Sequence, residues 1–373
     1  MSTRKQSILF IVQFPPPVHG SAMMCDYIRK SKLVNEEFDC DYVNLSTSRE
    51  MSEIGRKPLL KLWRFLRSYL TVMVKLITHR YDLAYIANTC YGIGFLKDMP
   101  FIVLCKLACP QVVLHQHNQG ARFYVNRWGY HWLMPWVYNG VKVILLSWNL
   151  YDDIKALSPK ENILICPNGI EPIVNEGHKY DDWEAENKKP RVFFLSNLLR
   201  EKGIIILLDA AKRLKDEGLQ FYIDIVGGET VDYNRSMFQQ EIDSRGLTSD
   251  VVYYGPIYGN AKEQFWKQAD IFVLPTFREC FPLVVCEAMQ HQLPCVATNE
   301  GAISDIILDG LTGMIFEKGN VTELTSCLRK LLMEPELRKQ MGQAGYERYK
   351  KILNIDVYER KVCECIRECL KHN

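Results

Sequence analysis

Short apolar runs separated by amphipathic stretches recur along the whole chain. In the first half they fall at residues 8–12, 111–115 and 143–147. In the second half they fall at 191–197, 221–226, 270–275 and 292–298. Uninterrupted runs of this length, rich in Val, Ile, Leu and Phe, predict strands covered on both faces, as in a parallel sheet. Helical stretches between them give the alternation of a doubly wound α/β fold, and the pattern occurs twice. In such sheets ligands gather at the carboxyl ends of the strands. The first run ends there in Phe14-Pro15-Pro16-Pro17-Val18-His19-Gly20-Ser21, where Gly20 permits close backbone approach and an ordinary Pro-rich turn is the alternative.

Residues 56–80 predict a helix of another kind. They hold seven Lys and Arg and no acidic residue. Lys57, Lys61, Arg64, Ser68, Thr71 and Lys75 fall on one stripe, opposed by Leu59, Leu62, Trp63, Leu66, Leu70, Met73 and Ile77. So wide an apolar arc means either a nearly buried helix or one that meets a membrane, with its basic stripe near anionic head groups.

A length of 373 residues suits two domains, each with its own core. The formal charge of +2 hides an uneven division, because residues 1–170 carry 20 Lys and Arg against 12 Asp and Glu. The two halves therefore suit different partners. No nucleic-acid motif is present. No signal peptide and no uncharged apolar run long enough to span a bilayer is visible. Thirteen cysteines without a secretory leader read as reduced thiols of a cytosolic protein. Cys363, Cys365 and Cys369, with His372 nearby, lack zinc spacing; they read as a helix face, with lipidation as the alternative. Asp39-Cys40-Asp41, the lone Asp-x-Asp, precedes an expected strand and reads as an edge or loop feature, so no metal site is expected.

The most informative segment is Phe277-Arg278-Glu279-Cys280-Phe281-Pro282-Leu283-Val284-Val285-Cys286-Glu287. It follows an expected strand, and Pro282 suits the first position of a helix. Glu279 then lies on the loop and Glu287 about one turn inside the helix. Free N–H groups at the helix start suit a phosphate, and carboxylates accept hydrogen bonds from sugar hydroxyls. The alternative is a helix-capping Glu279 and a solvated Glu287. A second short strand follows, then Asn299-Glu300-Gly301-Ala302 and Asp309-Gly310-Leu311-Thr312-Gly313. This order of parts resembles the donor-binding domain of retaining glycosyltransferases of family four, the glycosyl transferases group one, which have the GT-B fold. The resemblance is densest from about residue 190 to 320.

The resemblance implies two Rossmann-like, doubly wound domains facing a central cleft. Residues 1–172 would bind acceptor and 173–354 the nucleotide-sugar donor, with a helix from about 355 to 373 packing back on the first domain. It implies retaining transfer of a hexosyl group from a nucleotide diphosphate sugar to a saccharide or lipid-linked acceptor, in cell-surface polysaccharide biosynthesis. No cofactor would be needed beyond the co-substrate. The site would be cytoplasmic, at the inner face of the membrane, with peripheral contact through residues 56–80.

Residue by residue, Lys202-Gly203 matches the family's Lys-Gly, whose Lys holds the diphosphate. Asn197 stands where the family has Arg, and Arg200 is the nearby cation that would replace it. Phe281, Leu283 and Val284 would surround the diphosphate, Glu287 would hold the ribose, and Glu279 would position the donor sugar. Pro256 and Ile257 would meet the nucleobase. Gly20 stands where the family has Gly-Gly. Of the two histidines in His115-Gln116-His117, His117 would support the sugar, with His115 second and a core histidine as the alternative. Pro167-Asn168-Gly169 resembles the junction before the second domain, with residues 171–190 as linker. Arg122, Phe123, Tyr124, Arg127, Trp128, His131, Trp132 and Trp136 read as an acceptor grip, an interface or helix packing. Because Asn197 departs from the family, a non-catalytic partner subunit stays open, as does a GT-B-like nucleotide-sugar epimerase.

Overall fold

The computed structural model describes residues 4–16, 19–46, 58–173, 189–230 and 233–371. It divides into two compact units, Met1–Gly169 with Ile355–Asn373, and Ile170–Asn354. Lys57, His372 and most of the expected 171–190 linker lie outside the described residues.

The first unit runs β1 (Ser7–Val12), α1 (Gly20–Lys30), α2 (Lys32–Glu37), β2 (Asp39–Asn44), α3 (Pro58–Thr78), β3 (Leu83–Ile86), α4 (Gly92–Ala108), β4 (Gln111–His115), α5 (Tyr130–Tyr138), β5 (Lys142–Leu145), α6 (Tyr151–Ile154) and β6 (Ile163–Ile165). Its six strands are parallel in the order β2-β1-β3-β4-β5-β6. Every residue of β1 and β3 is buried, as their apolar runs require. Strand order reverses between β1 and β3, so the loops after these strands flank the switch point. Right-handed crossovers put α3, α4 and α5 on one face and α1 on the other.

The second unit runs β7 (Arg191–Leu195), α7 (Ile204–Asp216), β8 (Tyr222–Val226), α8 (Arg235–Ser244), β9 (Val251–Gly255), α9 (Asn260–Gln268), β10 (Ile271–Leu274), α10 (Leu283–Gln290), β11 (Cys295–Thr298), α11 (Ile303–Ile306), β12 (Gly313–Phe316), α12 (Val321–Met333) and α13 (Pro335–Arg348). Its parallel order is β12-β11-β10-β7-β8-β9, with the reversal between β7 and β10. A π-helical turn over Tyr349–Leu353 separates α13 from α14 (Ile355–Leu370). Helix α14 belongs to the first unit, where Tyr358 donates to Met24 O at 3.4 Å and Arg367 pairs with Glu37 at 2.5 Å. Cys363, Cys365 and Cys369 lie on its buried face, which explains their spacing as packing.

Three local expectations change. Pro282 is the N-cap of α10 rather than its first residue. Asp39 and Asp41 lie within strand β2 rather than before it, an edge feature as expected, and Asp41 pairs with Lys75 at 2.7 Å. Helix α3 turns its polar stripe toward the protein, with Ser68 Oγ donating to Asn44 O at 3.0 Å. Its apolar stripe faces outward, and of its residues from Leu59 onward only Val72 is buried. The nearly buried alternative for this helix therefore does not hold.

Candidate functional site

The loops after β7 and β10 meet at the switch point of the second sheet. Phe277 N–H donates to Glu201 O at 2.7 Å, and Thr276 Oγ, fully buried, donates to Arg278 O at 3.1 Å. Thr298 Oγ at the end of β11 donates to Thr276 O at 2.7 Å, and Ala302 N–H donates to Cys280 O at 2.8 Å. Three strand ends are thus stitched by backbone acceptors, which fixes the loops that carry the polar residues.

Gly203 allows the closest approach. Its φ is +75°, and a Cβ there would lie 1.7 Å from Pro275 O, so no other residue fits. This contact brings Lys202 over the β10 loop. Lys202 Nζ lies 2.7 Å from Glu279 Oε2 and 3.3 Å from Arg278 O. The two matched residues, 77 apart in sequence, therefore form one ion pair beside the start of α10. Both side chains stay about one-fifth exposed, so a ligand can reach them.

Helix α10 begins without a side-chain cap, and its first intrahelical acceptor, Pro282 O, is taken by Val285 N–H at 3.1 Å. The N–H groups of Leu283 and Val284 come before that bond, at the positive end of the helix dipole. Phe281 is buried and contributes packing and its backbone, while Leu283 and Val284 are half-buried. Glu287 pairs with Lys262 of α9 at 2.6 Å. The neighbouring Glu263 binds His291 Nε2 at 2.8 Å, which ties α9 to the end of α10. Lys262 was not singled out from the sequence, because a pair of Lys and Glu 25 residues apart has no local signature.

Asn197 has a positioning role. Its Oδ1 accepts the N–H of Gly228 at 3.0 Å, and Leu198 N–H donates to Gly228 O at 2.8 Å. The turns after β7 and β8 are thereby locked together. Arg200 stacks over Tyr233, 5.0 Å from the ring centre, and lies 3.7 Å from Glu241. It remains well exposed but is engaged on the α8 side of the loop. Pro256 is exposed and Ile257 half-buried, just after β9.

In the first unit His19 caps α1, its Nδ1 accepting the N–H of Ala22 at 3.3 Å, with Gly20 as the first helical residue. His115 is fully buried and bonds Tyr85 OH through Nδ1, so it belongs to the core. His117 packs on His115 with ring centres 4.1 Å apart. Both ring nitrogens of His117 are buried and lack a hydrogen-bond partner among the described residues. Burial, with a smaller contribution from the charge of His19, pushes its pKa down to about 3. It is a neutral imidazole with unmet hydrogen-bonding capacity. Around α5, Phe123, Trp128, Trp132 and Trp136 are exposed, so they form a surface and not helix packing.

Residues 178–348 match the family model for glycosyl transferases group 1. The chain is 30% identical over 170 residues to the sulfoquinovosyl transferase SQD2 of Arabidopsis thaliana, covering 45% of this chain and 31% of that protein. It is 30% identical over 156 residues to the D-inositol 3-phosphate glycosyltransferase of Paenarthrobacter aurescens, covering 41% and 38%. The aligned segments thus span less than half the length of these curated relatives. Likeness of fold extends over nearly the whole chain. Sucrose-phosphate synthase from Thermosynechococcus elongatus superposes with a TM-score of 0.75 at 17% identity, covering 98% of this chain and 99% of that one. Anabaena HepE in complex with UDP gives 0.74 at 16% identity over 97% and 100%, and its UDP-glucose complex gives 0.72 at 17% over 97% and 99%. The two parallel six-stranded sheets are those of the GT-B fold. The sequence match supports a glycosyl transferase of group 1 over residues 178–348, and the likeness of fold over nearly the whole chain is to GT-B structures.

Proposed function

We propose that the chain transfers a hexosyl group from a nucleotide diphosphate sugar to a saccharide or lipid-linked acceptor, with retention of configuration, as in cell-surface polysaccharide assembly. The observation that carries this reading is the Lys202–Glu279 pair at the β7/β10 switch point, beside the open start of α10. HepE, of like fold, was solved with UDP and with UDP-glucose.

On this reading the donor breaks the resting pair. The diphosphate takes the Lys202 ammonium and the N–H groups of Leu283 and Val284, which stabilise the charge that develops as the nucleotide leaves. Glu279, released, accepts hydrogen bonds from the sugar hydroxyls. Glu287 turns from Lys262 to the ribose, and Pro256 and Ile257 meet the base. His117, neutral, supplies a hydrogen bond to the sugar. The reaction is a front-face displacement without a covalent carboxylate, unlike that of retaining glycosidases. No metal or cofactor takes part in these steps, and the reaction belongs at the cytoplasmic face of a membrane.

The structural use of Asn197 favours a second reading. Its side chain is a neutral amide whose oxygen bonds Gly228, so no cation stands here where the family has Arg. A partner subunit that binds nucleotide without turnover would carry such a change.

Thermal-shift titration with UDP, GDP, ADP, dTDP and their sugars, repeated on Lys202→Ala and Glu287→Ala, tests the reading. A shift with one nucleotide that both variants abolish supports it, and no shift with any of them overturns it. Proton NMR of the product then decides retention, and absence of turnover despite binding selects the partner-subunit reading.

A further inference from the structure

A buried carboxylate holds the loop after β4. Asp153 of α6, 8% exposed, accepts the N–H of Gly120 at 2.7 Å and of Ala121 at 3.0 Å through Oδ2, and of Arg122 at 3.2 Å through Oδ1. From the other side, Asn118 Oδ1 accepts the N–H of Cys90, in the loop after β3, at 3.0 Å. Farther along, the ring of Tyr124 packs on Tyr91 and Tyr130, with centres 5.9 and 5.3 Å away. Residues 118–124 are therefore fixed at the carboxyl edge of the first sheet, where ligands of open α/β sheets gather. A surface loop tied down in this way holds its side chains in set positions, as a binding site requires.

The loop presents cations and rings. Arg122 lies over the ring of Phe123, 4.7 Å from its centre, and Arg127 over that of Tyr124 at 4.2 Å. Arg127 spends its Nε–H on Phe123 O at 3.0 Å. Contact with a ring face steadies a guanidinium but uses none of its N–H donors, so the remaining ones are left for a ligand. Among the described residues neither guanidinium pairs with a carboxylate. Asp152 pairs instead with Lys155 at 2.9 Å, and Asp153 is taken up by the loop amides. Residues 119–136 contain no acid at all. Trp128 is 93% exposed and Phe123 57%, next in sequence to the two charges. An exposed ring face suits the C–H face of a sugar, and a free guanidinium edge suits an anion. The loop amides decide between anions. Phosphates use free N–H groups at a helix start, and here those of Gly120, Ala121 and Arg122 are consumed by Asp153. What remains is the planar guanidinium fork, which matches a planar carboxylate.

We propose that the loop of residues 118–128 binds an acidic saccharide, with Arg122 and Arg127 on a sugar carboxylate and Trp128 against a sugar ring. This rests on the glycosyl transfer reading and narrows its acceptor to a saccharide that carries a uronic acid. Both guanidiniums are exposed, so their attraction for the carboxylate weakens as salt is raised.

The test is calorimetry of the purified chain with trisaccharides of glucuronic, galacturonic and mannuronic acid, each beside its neutral methyl ester, with inorganic phosphate as a competitor. At least one acid is expected to bind at least tenfold more tightly than its ester. Arg122→Gln/Arg127→Gln brings acid and ester together, whereas Trp128→Ala weakens both by a similar factor. All three positions are exposed, and an unchanged melting temperature confirms that the variants fold. No acid bound more tightly than its ester, a preference that survives Arg122→Gln/Arg127→Gln, or a Trp128→Ala variant that binds both as wild type does overturns the proposal. So does displacement of the acid by an equal concentration of phosphate, which marks a general anion site, or a dimer that the arginine variant disperses, which gives the loop to a second copy. The nucleotide thermal shift is recorded in parallel. A chain that binds nucleotide but prefers no acid loses this proposal alone, and one that prefers an acid but binds no nucleotide loses the donor reading.

Discussion

Lys202 and Glu279 reach each other across the switch point of the second sheet, 2.7 Å apart, each from a loop that ends one of the two central strands. In the resting protein each group occupies the partner that a nucleotide sugar would need. On the proposed reading, donor binding is an exchange of partners. Lys202→Ala is expected to weaken nucleoside diphosphate binding at least tenfold, because it removes the ammonium. Glu279→Gln is expected to leave that binding equal or tighter, because Lys202 no longer has a competing carboxylate, while transfer falls by two orders of magnitude or more. Calorimetry with the nucleoside diphosphate, beside turnover with its sugar, checks both. Weaker binding in Glu279→Gln would contradict the exchange.

Lys262 and Glu287 pose the same question with a different expected answer. The ammonium holds the carboxylate at 2.6 Å and comes from α9, away from the stitched loops. If Lys262 only keeps Glu287 in place, Lys262→Met changes nucleotide affinity by less than about threefold, since partly exposed pairs contribute little. On the proposed reading Glu287→Ala removes the carboxylate that would hold the ribose hydroxyls, and it is expected to weaken binding at least tenfold. A 2′,3′-dideoxy nucleotide separates the roles: it should bind wild type and Glu287→Ala alike. Equal loss in both variants would make Lys262 a ligand group itself.

Gly203 is the hinge on which this geometry depends. Substitution by Ala forces a left-handed backbone on a residue with a Cβ and drives that atom into Pro275 O. Strain of this kind costs about 1–3 kcal/mol before the clash is relieved. Gly203→Ala should lower the denaturant midpoint and also loosen Lys202 from Glu279. Gly218→Ala, with φ +84° and nothing within 4 Å of the added atom, is the control for backbone strain alone. A Gly203 variant no less stable than the Gly218 variant would refute the close-packing argument.

How much of this was legible depended on the range of the interaction. The central strands could be read because each is a buried run whose periodicity is carried by its own residues, as in β1 and β10. The strands β3, β6 and β12 were not singled out: β6 is only three residues long, and Leu83–Ile86 and Gly313–Phe316, though as long as β10, lie beside Asp82 and in the Gly-rich turn after Asp309, where the apolar run does not stand out. Within the site, Lys202-Gly203 and the two glutamates were visible as local motifs, whereas their pairing was not. Asn197 shows the limit most clearly. By position it stands where the family has Arg, while the bond its oxygen accepts from Gly228 N–H, a contact 31 residues away, is one that only the folded chain supplies. The outward turn of α3 was likewise hidden, because a helical wheel gives two faces without saying which one meets the sheet.

His117 gives a prediction about pH. Its pKa falls from the ordinary 6.5 to about 3 in the folded chain because its ring is buried. Between those values the unfolded chain binds a proton that the folded chain does not. The number of protons bound is larger in the unfolded state, so stability falls as pH drops from 6.5 toward 3. At pH 5 the loss is of order 1–2 kcal/mol from this residue. His117→Gln keeps hydrogen-bonding capacity without titrating, so its melting temperature should decline less than that of wild type between pH 7 and 5. The folded imidazole stays neutral over that range, so donor binding by wild type should show no inflection near 6.5 from this residue. Parallel acid-induced losses in both proteins would place the protonation elsewhere, with His115, also buried and lowered, as the next group to replace.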